Sequence, residues 1–179
     1  MTTQQQYIQL LEAILQNIAQ LRTSASTLLE ARIVNHACFL MYTAIEEYAK
    51  ALIVLDHYPK KLEKHDLVKA GYANHERKLT RLIRDTAIAY GGIDGRDFSK
   101  MATIIRNGIR ESSLYVGFDG QVINPGERLS GENLEKLARL TSNCKKLLEQ
   151  KIAIFQRDPF SRGTNSPIPG LMSRKLKVE

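Results

Sequence analysis

The stretch LMYTAIEEYAKALIVL, residues 40–55, decides the fold class of this chain. Its apolar residues cover most of a helical wheel drawn at about 100° per residue, which indicates a helix that is buried on most sides. Glu46, Glu47 and Lys50 interrupt this apolar surface. Because an unpaired buried charge is strongly unfavourable, we expect these three side chains to find charged partners within the fold.

The segments on either side of this stretch also have helical periodicity. The sequence predicts helices over residues 7–29, 33–55, 74–89, 97–113 and 130–155. A glycine-rich turn over residues 90–97 separates the third helix from the fourth, and β-prone residues around Asp119-Gly120 predict a short hairpin-like loop near residues 115–128. No strands alternate with the helices. We therefore expect an all-α, antiparallel helical bundle in residues 1–157, followed by a flexible C-terminal arm in residues 158–179.

Composition limits the class of protein and its partners. The chain has 179 residues, of which 43% are hydrophobic, which suits one domain with a single core. Its 26 Lys and Arg residues exceed its 19 Asp and Glu residues, and the net charge of +7 favours polyanionic partners such as RNA, DNA or an acidic protein without choosing among them. The start, MTTQQQYIQLLEA, lacks the features of a signal peptide, and charges interrupt the most apolar segment. We expect a cytoplasmic protein with no membrane segment.

The sequence contains no recognisable cofactor or metal motif. Cys38 and Cys144 are far apart and form no Cys/His cluster, so we expect both to be reduced packing residues. Glu46 and Glu47 are adjacent and hence about 100° apart on a helix, which disfavours a di-metal site in the bundle. Phosphate-loop and dinucleotide-binding fingerprints are also lacking. We expect neither a metal nor a cofactor.

The charged residues of residues 40–55 have candidate partners elsewhere in the sequence. Glu46 and Lys50 are four residues apart, with the acid first, which favours a local ion pair. Glu47 would then need a cation from another helix. The candidates come in two pairs, each one helical turn apart: His75 and Lys78 in NHERKL, and Arg106 and Arg110 in IIRNGIRESSLY.

Three segments taken in order resemble a known family. AIEEYAKALIV, NHERK and IRESSLYVGFDGQVINPGERLS are similar to the pattern of AbiV, a family of bacterial abortive-infection proteins, over about residues 5–150. AbiV proteins are grouped in the HEPN superfamily, whose helical domains commonly dimerise and often act as metal-independent ribonucleases. The resemblance therefore implies a HEPN-like bundle and a homodimer, which the abundant apolar surface of the first two helices also favours. The matched positions are Glu47, Lys50, His75, Lys78, Arg110 and Tyr115.

The sequence departs from the motif of HEPN ribonucleases, in which four to six residues separate an arginine from a histidine. Counted from Arg106, the histidine position falls on Glu111, Ser112 or Ser113. Counted from Arg110 with four separating residues, it falls on Tyr115. Tyrosine can donate a proton, but with a pKa near 10 it is a poor base at neutral pH.

Two interpretations of these residues stay open. In the first, an antiphage toxin acts on RNA or translation: His75 or Glu47 is the base, Tyr115 donates a proton and Arg110 holds phosphate. Lys50, Lys78 and Arg106 would then contact RNA or complete the charged network. In the second, the same charges form a buried network that fixes helix register, and the protein is a non-catalytic module that binds a phage or host protein.

Overall fold

The computed structural model describes residues 3–58, 64–90, 110, 112–114, 117–118, 121–125, 127, 129 and 131–157, and the elements in these ranges are almost entirely helical. The helices are α1 (Thr3–Glu30), α2 (Val34–His57), α3 (Lys64–Lys69), α4 (His75–Tyr90), α5 (Ser112–Leu114) and α6 (Gly131–Arg157). Two short strands, β1 (Gly117–Phe118) and β2 (Val122–Ile123), form an antiparallel pair. The structure confirms the predicted all-α bundle and hairpin-like loop.

Helix α2 is the centre of the bundle. It packs against α1, α4 and α6, and also contacts α3 and α5. Every residue from Ala44 to Leu55 except Lys50 is buried, which explains why its apolar residues cover nearly the whole helical wheel. None of the described helices combines the length and the apolar character that crossing a lipid bilayer requires.

The reversal between α1 and α2 follows a common helix-ending geometry. The amide of Ile33 donates to the carbonyl of Leu28, and the amide of Arg32 donates to the carbonyl of Leu29. Arg32 takes the left-handed conformation that this ending requires, with φ of 61°. The three-residue connection lays α1 directly against α2.

The core is built from one stripe on each outer helix, packed around α2. These stripes have the three- and four-residue spacing that the sequence indicated. Cys38 and Cys144 lie in this core as free thiols, as expected, and burial raises the pKa of both. The stripes consist of Tyr7, Leu11, Ile14 and Ile18 on α1, Leu79, Leu82 and Ile83 on α4, and Leu137, Cys144, Leu148 and Ile152 on α6.

Some predicted elements lie outside the described residues. Of the predicted helix over residues 97–113, the structure describes only Arg110 and α5. Residues 91–97 of the predicted glycine-rich turn and the predicted C-terminal arm, residues 158–179, are not described. Helix α3 was not predicted, because its six residues lie in a lysine-rich polar segment with no clear periodicity.

Candidate functional site

The candidate site lies where the middle of α2 faces the first turn of α4. The turn between α3 and α4 sets the position of that first turn. Gly71, with φ of +94°, ends α3: its amide donates to the Val68 carbonyl and the Tyr72 amide donates to the Leu67 carbonyl. Asn74 then caps α4, its side-chain oxygen accepting the Arg77 amide at 2.9 Å. His75 is thereby fixed as the first residue of α4.

Glu46 is the central carboxylate of the site. Its Oε1 lies 2.6 Å from Nδ1 of His75, and its Oε2 lies 3.6 Å from Nζ of Lys78. Glu46 and Lys78 are buried, whereas the His75 side chain is 48% exposed. Burial lowers the pKa of Lys78, and the attraction of Glu46 opposes this effect. The buried carboxylate therefore joins an internal ammonium to an imidazole that solvent reaches.

Glu47 forms a separate pair with Lys50, whose Nζ lies 2.5 Å from its Oε1. The same ammonium lies 5.6 Å from the centre of the Tyr72 ring, in cation–π contact. The expected local pair of Glu46 with Lys50 is therefore wrong. The expected partner of Glu47 on another helix is wrong too, since its partner lies three residues away on α2. Glu46 faces α4 and meets His75 and Lys78, which leaves Lys50 to its nearer neighbour Glu47.

The fold brings together most of the described residues that the sequence singled out. His75, Lys78, Glu47 and Lys50 lie around one stretch of α2. Arg110 is half-buried just before α5, its carbonyl accepting the Ser113 hydroxyl at 3.0 Å, and its guanidinium forms no ion pair with Glu46 or Glu47. The other two predicted site residues, Arg106 and Tyr115, lie outside the described residues.

Sequence reasoning missed Glu46 as the partner of His75. A signal for it was present: adjacent acids on a helix point about 100° apart and so meet different neighbours. His75 and Lys78 are three residues apart and present two nitrogen groups on one side of α4. A carboxylate with two oxygens matches such a pair.

The pair of His75 and Glu46 is suited to proton transfer. A carboxylate that accepts the Nδ1 proton of an imidazole leaves the Nε2 lone pair to take a proton from another molecule. Of the histidines whose side chains are described, His36 contacts Asn35 and His57 contacts the Ile53 carbonyl, so His75 is the one with a carboxylate partner. Within the described residues, no three His, Cys, Asp or Glu side chains are grouped so as to hold a metal ion.

A second group of charges fixes the direction of α4, and it too was not predicted. Asp56 of α2 pairs with Arg81 of α4, and its other oxygen lies 2.9 Å from Nζ of Lys151 on α6. Arg81 also lies 3.7 Å from Asp85. This group, which we call the Asp56 cluster, joins three helices, and its α4 residue Arg81 lies about one turn beyond Lys78.

Comparison with known proteins gives one result. The family model described as AbiV, a HEPN family, matches residues 6–146, which include the whole of α2, α4 and the candidate site. Searches of curated proteins and of solved structures gave no significant match.

Proposed function

This chain belongs to the AbiV family of abortive-infection proteins in the HEPN superfamily, and from that premise we propose that it is an antiphage effector which cleaves RNA in the cytoplasm. The net charge of +7 suits a polyanionic substrate. The observation that carries the catalytic proposal is the contact of His75 with the buried Glu46 at 2.6 Å.

In this mechanism His75 is the base. Nδ1 stays protonated against Glu46, and Nε2 takes the proton of a ribose 2′-hydroxyl. The 2′-oxygen forms a bond to phosphorus, and the bond from phosphorus to the 5′-oxygen breaks, which leaves a cyclic phosphate. The leaving oxygen takes a proton from an acid, the role we assign to Tyr115. Every proton has a donor and an acceptor in this scheme.

Cations complete the proposed site. Lys50 is 25% exposed and Arg110 is half-buried, so both have part of their side chains in solvent where a phosphate could bind. We assign phosphate contacts to these two residues and to Arg106. Glu47 was the other candidate base, but its contact with Lys50 suits it better to hold that ammonium in place.

Cleavage of single-stranded RNA by the purified protein at low salt tests this proposal, because low salt strengthens contacts with phosphate. We expect His75→Gln, Arg110→Ala and Tyr115→Phe each to abolish cleavage and toxicity without changing the melting temperature. His36→Gln is the matched control, because that histidine is exposed and its side chain has a hydrogen bond to Asn35 and not to a carboxylate. Intact RNA with wild-type protein, both alone and with lysate of phage-infected cells, would contradict the proposal.

A second function is favoured by a different observation. Glu46, Glu47, Lys50 and Lys78 neutralise one another within the bundle, as in a network that only fixes helix register. The protein would then be a non-catalytic module that binds a phage or host protein. In that case the His75, Arg110 and Tyr115 variants would lose stability or affinity for the partner, and wild-type protein would leave RNA intact.

We also propose that the protein is a homodimer. The expectation from surplus apolar surface on the first two helices needs revision, because α2 is buried within its own bundle. The outer side of α1 is a better candidate for the interface. Two copies of a basic chain repel each other least where charge is absent. The exposed residues of this side are uncharged except Glu30, and they include Gln9, Gln16, Asn17, Gln20, Thr23, Ser24 and Thr27.

Sedimentation at micromolar concentration tests the dimer. Gln16→Lys with Gln20→Lys should place four like charges at the interface and give a monomer. Gln150→Lys is the matched control, because Gln150 is exposed on α6, where charged residues already surround it. A wild-type monomer would contradict the dimer, and a dimer that survives the double substitution would contradict the α1 interface.

A further inference from the structure

Two groups from one turn of α4 share a single carboxylate of α2. Nδ1 of His75 contacts Oε1 of Glu46, and Nζ of Lys78 contacts Oε2. The two groups differ greatly in access to solvent, since the Lys78 side chain is 3% exposed and the His75 side chain is 48% exposed. An internal cation and a solvent-accessible imidazole are therefore linked through Glu46.

The burial of Lys78 excludes the simplest role for a lysine in a protein that acts on RNA. An ammonium that contacts phosphate must reach the surface, and Nζ of Lys78 instead lies inside the bundle against Glu46. Burying an ammonium is unfavourable, and burial accordingly lowers the pKa of Lys78. The Lys78 ammonium therefore acts through its contact with the Glu46 carboxylate.

We propose that Lys78 is a positioning residue, whose ammonium holds the Glu46 carboxylate in place so that Glu46 fixes the tautomer of His75. The catalytic meaning of this inference rests on the proposed ribonuclease function. Without a cation, a buried carboxylate favours its protonated form, which can donate a hydrogen bond instead of accepting one. His75 would then no longer be required to carry its proton on Nδ1, and Nε2 would not be reserved for the substrate.

The other charges of the site provide a control within the same protein. Glu47 and Lys50 lie on the same turns of α2, but they pair with each other at 2.5 Å. Lys50 is thus a second ammonium in the same cluster that does not contact the Glu46 carboxylate. If any nearby positive charge were enough to fix the tautomer of His75, removing Lys50 would change that tautomer as much as removing Lys78.

The test is nuclear magnetic resonance of the full chain labelled with ¹⁵N, read from the two ring nitrogens of His75 at about pH 8.5, where an ordinary imidazole is neutral. We expect wild-type protein to show one tautomer, protonated on Nδ1. The neutral variants Lys78→Met and Lys78→Gln should each give a mixture of tautomers. Lys78→Arg, which keeps the cation, and Lys50→Met should each keep the single tautomer.

Wild-type protein protonated on Nε2 would overturn the proposal, even if both neutral variants failed to fold. A folded Lys78→Met or Lys78→Gln variant that keeps the single Nδ1 tautomer would also overturn it. The measurement needs no RNA, so the tautomer result stands if the ribonuclease proposal fails. If RNA is cleaved, Lys78→Met should lower kcat in proportion to the fraction of His75 that leaves the Nδ1-protonated tautomer, with little change in KM, because only that tautomer offers Nε2 as the base.

Discussion

Glu46 and Glu47 are neighbours in sequence and are equally buried, yet the fold should depend on them unequally. Glu46→Ala leaves the buried ammonium of Lys78 without a carboxylate, which we expect to cost about 3 kcal/mol in the free energy of unfolding. Glu47→Ala leaves Lys50, which is partly exposed and can turn to solvent, so we expect a loss of about 1 kcal/mol. Urea denaturation of both variants measures the difference.

The double variant Glu46→Ala with Lys78→Met provides the control for this prediction. Removing both partners should recover part of the loss seen for Glu46→Ala alone, because no buried charge then lacks a partner. If Glu46→Ala and Glu47→Ala lowered the free energy of unfolding equally, the burial of the partner lysine would not determine how much stability is lost.

For the charged residues of the candidate site, the sequence indicated that α2 meets charged partners from another helix but did not determine which side chains form pairs. Charges on a buried helix indicated an internal network, and His75 with Lys78 was one of two candidate pairs of partners, the other being Arg106 with Arg110. The choice of Lys50 between Glu46 and Glu47 depends on which acid faces α4. That choice is set by the rotation of α2 against α4, which local spacing does not determine.

Among the elements, the turn between α3 and α4 determines where α4 begins and therefore where His75 lies. Gly71 has φ of +94°, and a Cβ added there would lie 2.8 Å from Cβ of Arg77. We expect Gly71→Ala to destabilise the protein by about 2 kcal/mol, because strained backbone and close contact add together. Thermal melting measures the effect on the whole fold.

Comparison with Gly71→Asn separates the two causes. Asparagine tolerates a positive φ better than alanine but carries the same Cβ, so it should retain the close contact and relieve part of the backbone strain. A Gly71→Ala variant with wild-type stability would show that the turn can rearrange. The contact with Glu46, and not the turn between α3 and α4, would then determine the position of His75.

The long helices were predictable, and the short elements were less so. The residues of α1, α2, α4 and α6 repeat their apolar positions over many turns, which identifies a helix even when its ends shift by a few residues. Helix α3 has too few residues for such a pattern, although Lys69 followed by Gly71 is a helix-ending signal. The hairpin was recognised by the β-prone residues on either side of Asp119-Gly120, although its strands are only two residues long.

For the whole molecule, the Asp56 cluster is a charged link between three helices that are far apart in sequence. Asp56 joins Arg81 of α4 to Lys151 of α6, and these side chains are only partly exposed. We expect Asp56→Ala to lower the free energy of unfolding by about 2 kcal/mol, because both cations lose a carboxylate partner. Glu149→Ala is the control, because its 3.9 Å contact with Lys145 is an exposed pair on one helix that should contribute about 0.3 kcal/mol. Similar losses for the two variants would contradict the proposed importance of the Asp56 cluster.

Stability of the whole fold should also depend on a buried tyrosine at high pH. Burial raises the pKa of Tyr48 to about 12, against an opposing effect of Arg22 and with smaller contributions from Cys144 and Glu149. The folded state therefore keeps its proton at a pH where the unfolded chain, with an ordinary pKa of 10.0, releases it. The stabilisation is complete below about pH 10 and is lost as pH rises toward 12.

Tyr48→Phe has no hydroxyl to ionise, so its stability should fall less steeply with pH than that of the wild type. The difference between the two proteins should change by about 2 kcal/mol as pH rises from 9 to 12. Tyr72 and Tyr90 also have raised pKa values through burial, but they are present in both proteins and cancel in the comparison. Urea denaturation at each pH measures this change. Parallel stability curves would mean that Tyr48 ionises without unfolding the bundle, which is incompatible with a hydroxyl buried at its centre.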